Sequence, residues 1–206
     1  MDDITISNKK EKINIIEAIL DNKDYIYPAC FYIGGLILGT FFFEYLNHSA
    51  FSKVMDDVFK LTQSAFADIF LNRLSLYFSL FSVTVFLGMC LVGFPIINAI
   101  PLICGVETAL KVSYYYVNYS AKGIGYSVLM IIPECAAFLT VLIYTIKLSA
   151  QLSKNIYAFT TKKTDTEENF TLSPYLKSFF IYALCVTAIS AVNAAIIYLL
   201  ANIITI

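Results

Sequence analysis

Charge is what this sequence has little of. Only 14% of its 206 residues are Asp, Glu, Lys or Arg, and 14 basic against 15 acidic residues leave a net charge of −1. That balance gives nucleic acid no basic surface to bind. Histidine is nearly absent too. The single one, His48, has no cysteine or second histidine near it, which excludes a metal site of ordinary ligand spacing. It also rules out a helix-borne H-E-x-x-H, and Glu167-Glu168 is a carboxylate pair without histidines to complete a metal site. There is no G-x-S-x-G and no phosphate-cradling glycine loop. The five cysteines (Cys30, Cys90, Cys104, Cys135 and Cys185) form no C-x-x-C pair. All lie in apolar segments, where thiols act as small packing residues. With no catalytic set, no metal and no cofactor motif, the expectation is a protein that is not an enzyme.

What the chain has instead is apolar surface: 59% hydrophobic residues and a mean hydropathy of +0.73, more than a globular core of this length needs. Residues 74–106 run for 33 positions without a charged side chain. As one helix that run would extend about 50 Å, against about 30 Å of bilayer hydrocarbon. It must therefore fold back, and Gly93-Phe94-Pro95 is the place, glycine for the turn and proline for the first turn of a new helix. The expected fold is an all-α integral membrane protein of five spans at about 26–46, 74–92, 95–117, 123–147 and 176–204. Residues 1–24 form a polar N-terminal segment ahead of this single membrane domain of residues 25–206.

Between the first two spans, Phe51, Phe59, Phe66 and Phe70 belong to an apolar stripe of 3, 4 spacing, with Lys53, Asp56, Asp57, Lys60 and Asp68 opposite. This predicts an amphipathic helix over about 50–72, too charged to span, whose aromatic face caps its own bundle, lies on lipid or docks a partner. Gly35-x-x-x-Gly39 in the first span lets another helix approach closely, either inside the bundle or across a homo-oligomer seam. In the fifth span Ala188, Ala191 and Ala195 form a small-residue stripe.

Ionisable residues inside spans carry the functional question. Pro101 is expected to kink the third span, after which Glu107 and Lys111 stand four apart on one face. Pro133-Glu134 breaks the fourth span in its middle. Counting about 1.5 Å per residue from each helix end puts Glu134 at a depth similar to that of Glu107, with Lys111 one turn beyond. A Glu107–Lys111–Glu134 cluster is thus expected, two acids sharing one base, as a structural pair, a solute path or a partner contact. Lysine and arginine bias favours an N-terminus inside and a C-terminus outside, with Lys9, Lys10, Lys12, Lys147, Lys154, Lys162 and Lys163 among the inner flanks. The amphipathic helix is then extracytoplasmic.

The order Leu87-Gly88, Val92-Gly93-Phe94-Pro95-Ile96-Ile97, then Gly105, Gly123 and Ile131-Ile132-Pro133 resembles the stage II sporulation protein M family, as a divergent paralogue. It departs at Cys104, where many members carry Asn, and at Glu134-Cys135-Ala136-Ala137-Phe138 after the fourth-span proline. The resemblance implies a five-span scaffold in the cytoplasmic membrane of an endospore former. Such a scaffold would recruit the peptidoglycan-degrading stage II sporulation proteins D and P to the septum during forespore engulfment. Phe51, Phe59, Phe66 and Phe70 would then be docking residues. The competing expectation is a permease-like subunit working with a separate ATPase.

Overall fold

The computed structural model describes residues 23–45, 66–91, 93–161 and 172–201. Every element among them is helical: α1 (Lys23–Tyr45), α2 (Phe66–Gly88), a short α3 (Gly93–Ile97), α4 (Ile100–Tyr126), a π-helical turn (Ser127–Ile131), α5 (Ile132–Thr161) and α6 (Ser173–Ala201). Four stretches are long and apolar enough to cross a membrane: Tyr25–Tyr45, Phe66–Gly88, Gly93–Thr161 and Ser173–Leu199. Helices are the expected solution in lipid, because each satisfies its own backbone hydrogen bonds. Exposed Phe41, Phe86, Phe180 and Leu199 then face hydrocarbon rather than water. The chain is a membrane-embedded helical protein.

Small residues decide which helices touch. A Cβ added at Gly35 would fall onto the Leu102 carbonyl, and one at Gly105 onto the Tyr32 carbonyl. At Gly39 it would sit 2.7 Å from the Ala109 Cβ. The G-x-x-x-G pattern is therefore used inside the bundle, seating α1 on α4, the most extensive helix pairing among the described residues. Next to α4 comes α5, which touches every other helix and lies at the centre. On its far side α2 presents Ile69, Arg73, Tyr77, Phe81, Thr84 and Gly88, a buried stripe at helical spacing, while α6 packs against both α2 and α5. The main core joins Tyr77, Phe81, Ile97, Phe138, Leu142, Ile146 and Val186.

The boundaries differ from those expected in informative ways. α2 starts at Phe66 rather than near residue 74, so Arg73 lies two turns inside a helix instead of at its edge. The first reversal is broader than a three-residue turn: α2 ends at Gly88, and Gly93-Phe94-Pro95 open the short α3. Gly93 is needed there for close approach rather than for an unusual backbone angle, since a Cβ would overlap the Leu87 carbonyl and no described glycine has positive φ. Pro101 does not kink a span. It sits at the first turn of α4, where its missing N–H costs nothing. On α6 the buried face runs through Val186, Ser190, Asn193, Ala194 and Ile197, leaving Ala188 exposed.

The long third stretch turns back on itself at Ser120, whose φ of 50° and ψ of −125° are non-helical. Residues on either side meet again: the Tyr115 and Tyr126 rings lie 4.4 Å apart, and Thr108 Oγ1 reaches Cys135 Sγ at 3.3 Å. After the reversal comes the π turn, in which the Ile132 N–H reaches five residues back to the Ser127 carbonyl. The extra residue lies just before Pro133, which can neither donate to residue 129 nor tolerate its carbonyl at α-helical distance. His48, Phe51, Phe59 and most of the expected 50–72 amphipathic helix lie outside the described residues.

A buried charge network as the candidate functional site

Three helices bring four charged side chains into the bundle interior. On α4, Glu107 and Lys111 form an ion pair one turn apart, with the Lys111 side chain 2% exposed and that of Glu107 22%. On α5, Glu134 sits just beyond the π turn with 3% of its side chain exposed. Its charge partner comes from α2, where Arg73 Nη1 stands 3.7 Å from Glu134 Oε1. One turn along α2, the Tyr77 hydroxyl donates a short hydrogen bond to the same carboxylate oxygen.

Tyr77 joins the two pairs. Its ring stacks on Phe138 at 4.3 Å between centroids, and Lys111 Nζ stands 5.7 Å from its centre. That is within reach of a cation–π attraction, which gains strength where water is excluded. Next to this assembly, Tyr32 on α1 donates to Thr108 Oγ1 at 3.3 Å, and Thr108 bonds back to the Cys104 carbonyl at 2.8 Å. Formal charge sums to zero over Arg73, Lys111, Glu107 and Glu134. A lone carboxylate at such a site would cost several kcal/mol unless paired or protonated, and Arg73 supplies the pairing.

The expected cluster had two acids, Glu107 and Glu134, sharing Lys111; the structure pairs Lys111 with Glu107 and gives Glu134 a separate cation, Arg73. Arg73 is the member that depth counting misses, because an arginine beside an apolar run reads as a headgroup anchor. The available signal was its phase: Ile69, Arg73, Tyr77 and Phe81 recur every four residues on one helical face. Of the aromatic docking candidates within the described residues, Phe66 stacks on Phe70 and meets Tyr198 edge-on at 6.2 Å. Phe70 packs against the small cluster of Ile69, Met130, Ala194 and Ile197. Both are thus engaged by their own bundle, although Phe66 keeps 42% of its surface exposed.

Below the network the interior becomes apolar through Phe81, Phe138 and Leu142, each at most 5% exposed. Beyond them lie the buried hydroxyls of Thr84 and Thr145, bonded back to the carbonyls of Leu80 and Val141 at 2.8 Å. These bonds satisfy the hydroxyls within their own helices and require no water. Among the described residues, no three His, Cys, Asp or Glu side chains are grouped to hold a metal ion. No family model, curated protein or solved structure matches the chain.

Proposed function

We propose that the chain is a non-enzymatic membrane scaffold that crosses the bilayer five times. The 69 residues of Gly93–Thr161 are enough for about 100 Å of helix, far more than one crossing requires. The reversal at Ser120 supports reading them as two crossings. Lysine bias sets the N-terminus inside and the C-terminus outside.

One observation carries the scaffold reading. The interior charges cancel in two pairs, and the Phe81–Phe138–Leu142 layer separates them from the polar groups further along the bundle. A solute path would instead string polar groups from one end to the other. Charges bound to one another fix the relative positions of α2, α4 and α5, which is what a frame for other proteins requires. The resemblance, which runs from Tyr25 through Ile206, suggests the partners: the cell-wall-degrading stage II sporulation proteins D and P, held at the septum during engulfment.

The test is to purify the protein in mild detergent from its native host, in vegetative growth and at the onset of sporulation, and identify what accompanies it. Wall hydrolases recovered only in sporulation support the scaffold. An ATPase recovered from growing cells overturns it in favour of a permease-like subunit.

A further inference from the structure

At the end of the bundle opposite the Ser120 reversal, the first turns of α1, the short α3 and the later turns of α5 enclose a cavity of 230 Å³. Lys147 and Lys154 both line it, with Gln151 between them on the same face of α5 and Asn98 across from them. Among the described residues, no carboxylate lines it. The two lysines are two helical turns apart, about 10 Å along the axis. Each ammonium is braced by an aromatic ring: Lys147 Nζ lies 4.3 Å from the centre of the Tyr25 ring and 2.8 Å from its hydroxyl. Lys154 Nζ lies 4.0 Å from the centre of the Phe94 ring. Two cations and two amides around one hollow make a recognition surface for an oxyanion.

The surroundings say which oxyanion. The cavity lies where apolar helix gives way to polar chain, and Ser153 Oγ, bonded to the Cys90 carbonyl at 2.8 Å, ties this end of α5 to the turn after α2. Tyr27, on the cavity wall, is 59% exposed, and Phe31 one turn further along α1 is exposed as well. An apolar track therefore leads from the cavity toward the middle of the bilayer. At 230 Å³ the hollow is smaller than the roughly 300–1,000 Å³ that encloses a whole drug-sized ligand. It suits a headgroup whose chains remain outside.

We infer that this cavity is a binding site for the phosphodiester headgroup of an anionic glycerophospholipid, held by Lys147 and Lys154 with its acyl chains along Tyr27 and Phe31. Basic hollows between membrane helices take such headgroups, and each lysine near a membrane surface contributes about 1 kcal/mol, or roughly five-fold in affinity. The lipid would brace α1, α3 and α5 at the end of the bundle remote from the charge network.

The full-length protein in mild detergent is offered phosphatidylglycerol and phosphatidylcholine at equal concentration, and bound lipid is read by native mass spectrometry. Phosphatidylglycerol is expected to bind preferentially. K154Q should reduce that preference roughly five-fold and K147Q/K154Q should abolish it, while K122Q, at the Ser120 reversal, leaves it intact. Lys154 is exposed, so K154Q keeps the test decisive even if K147Q disturbs folding by losing the Tyr25 contact. Equal binding of the two lipids overturns the inference. So does an undiminished preference in K154Q, or displacement of the lipid by inorganic phosphate at matched concentration, which would mark a site for free anion.

Discussion

Removing one charge from the Arg73–Glu134 pair, and then both, tests whether the network fixes the bundle. At 3.7 Å and an effective dielectric of about 20, the pair attracts by about 4–5 kcal/mol before its desolvation cost is set against it. Glu134→Gln keeps the shape and an oxygen acceptor for the Tyr77 hydroxyl but leaves Arg73 buried without its counter-charge. Breaking a buried pair from one side costs about 3–5 kcal/mol. The lower end applies here, about 3 kcal/mol, because the separation exceeds that of a short charge-assisted hydrogen bond. Arg73→Met should cost a similar amount by stranding Glu134. The double variant removes both charges and should recover most of the loss, landing within about 1 kcal/mol of the parent. Equilibrium unfolding in mixed micelles, followed by circular dichroism, measures all four corners of the cycle. An E134Q protein within about 1 kcal/mol of the parent, or a double variant that costs the sum of the singles, would refute the reasoning.

Smaller effects are expected elsewhere in the bundle. Tyr77→Phe deletes a single hydroxyl donor while keeping the stack on Phe138, so its loss should be about 0.5–1 kcal/mol in the same unfolding assay. Gly35→Ala drives a methyl into the Leu102 backbone and should lower stability by about 1–3 kcal/mol, whereas Gly34→Ala, with nothing within 4 Å, should be silent. Equal thermal midpoints for these two variants would contradict the α1–α4 seam. Ser120 holds a positive φ of 50° that glycine adopts freely. Ser120→Gly should therefore raise the unfolding free energy by roughly 1 kcal/mol, and a lowered midpoint would argue against strain at the reversal.

Much of the architecture could be read from the order of apolar and polar residues. The uncharged run of 74–106 had to reverse because its length exceeds a bilayer, and the reversal falls beside Gly93. The same arithmetic put Glu107 and Glu134 at similar depth, with Lys111 one turn beyond, without any contact information. What could not be read was rotation. Depth counting says how far along a helix a residue sits but not which neighbour it faces, so it reveals neither the Arg73–Glu134 pair nor that Ser190 and Asn193, rather than the Ala188, Ala191 and Ala195 stripe, lie on the buried face of α6. Proline was ambiguous for a related reason. Pro101 opens a helix and Pro133 follows a widened turn, and a proline alone is compatible with either.

The π turn at Ser127–Ile131 has a bearing on how this chain tolerates change in length. A helix that contains one carries a surplus residue, and each residue corresponds to about 100° of rotation. Met130 joins Ile69, Ala194 and Ile197, while Ile131 beside it joins Phe43, Tyr114 and Tyr115. Beyond Pro133 the helix is phased so that Glu134 meets Arg73 and Phe138 meets Tyr77. The surplus residue acts as a gear between two sets of neighbours that no uniform helix would serve together. A deletion between Tyr126 and Pro133 would leave the composition almost untouched and still force the chain to keep one set and release the other.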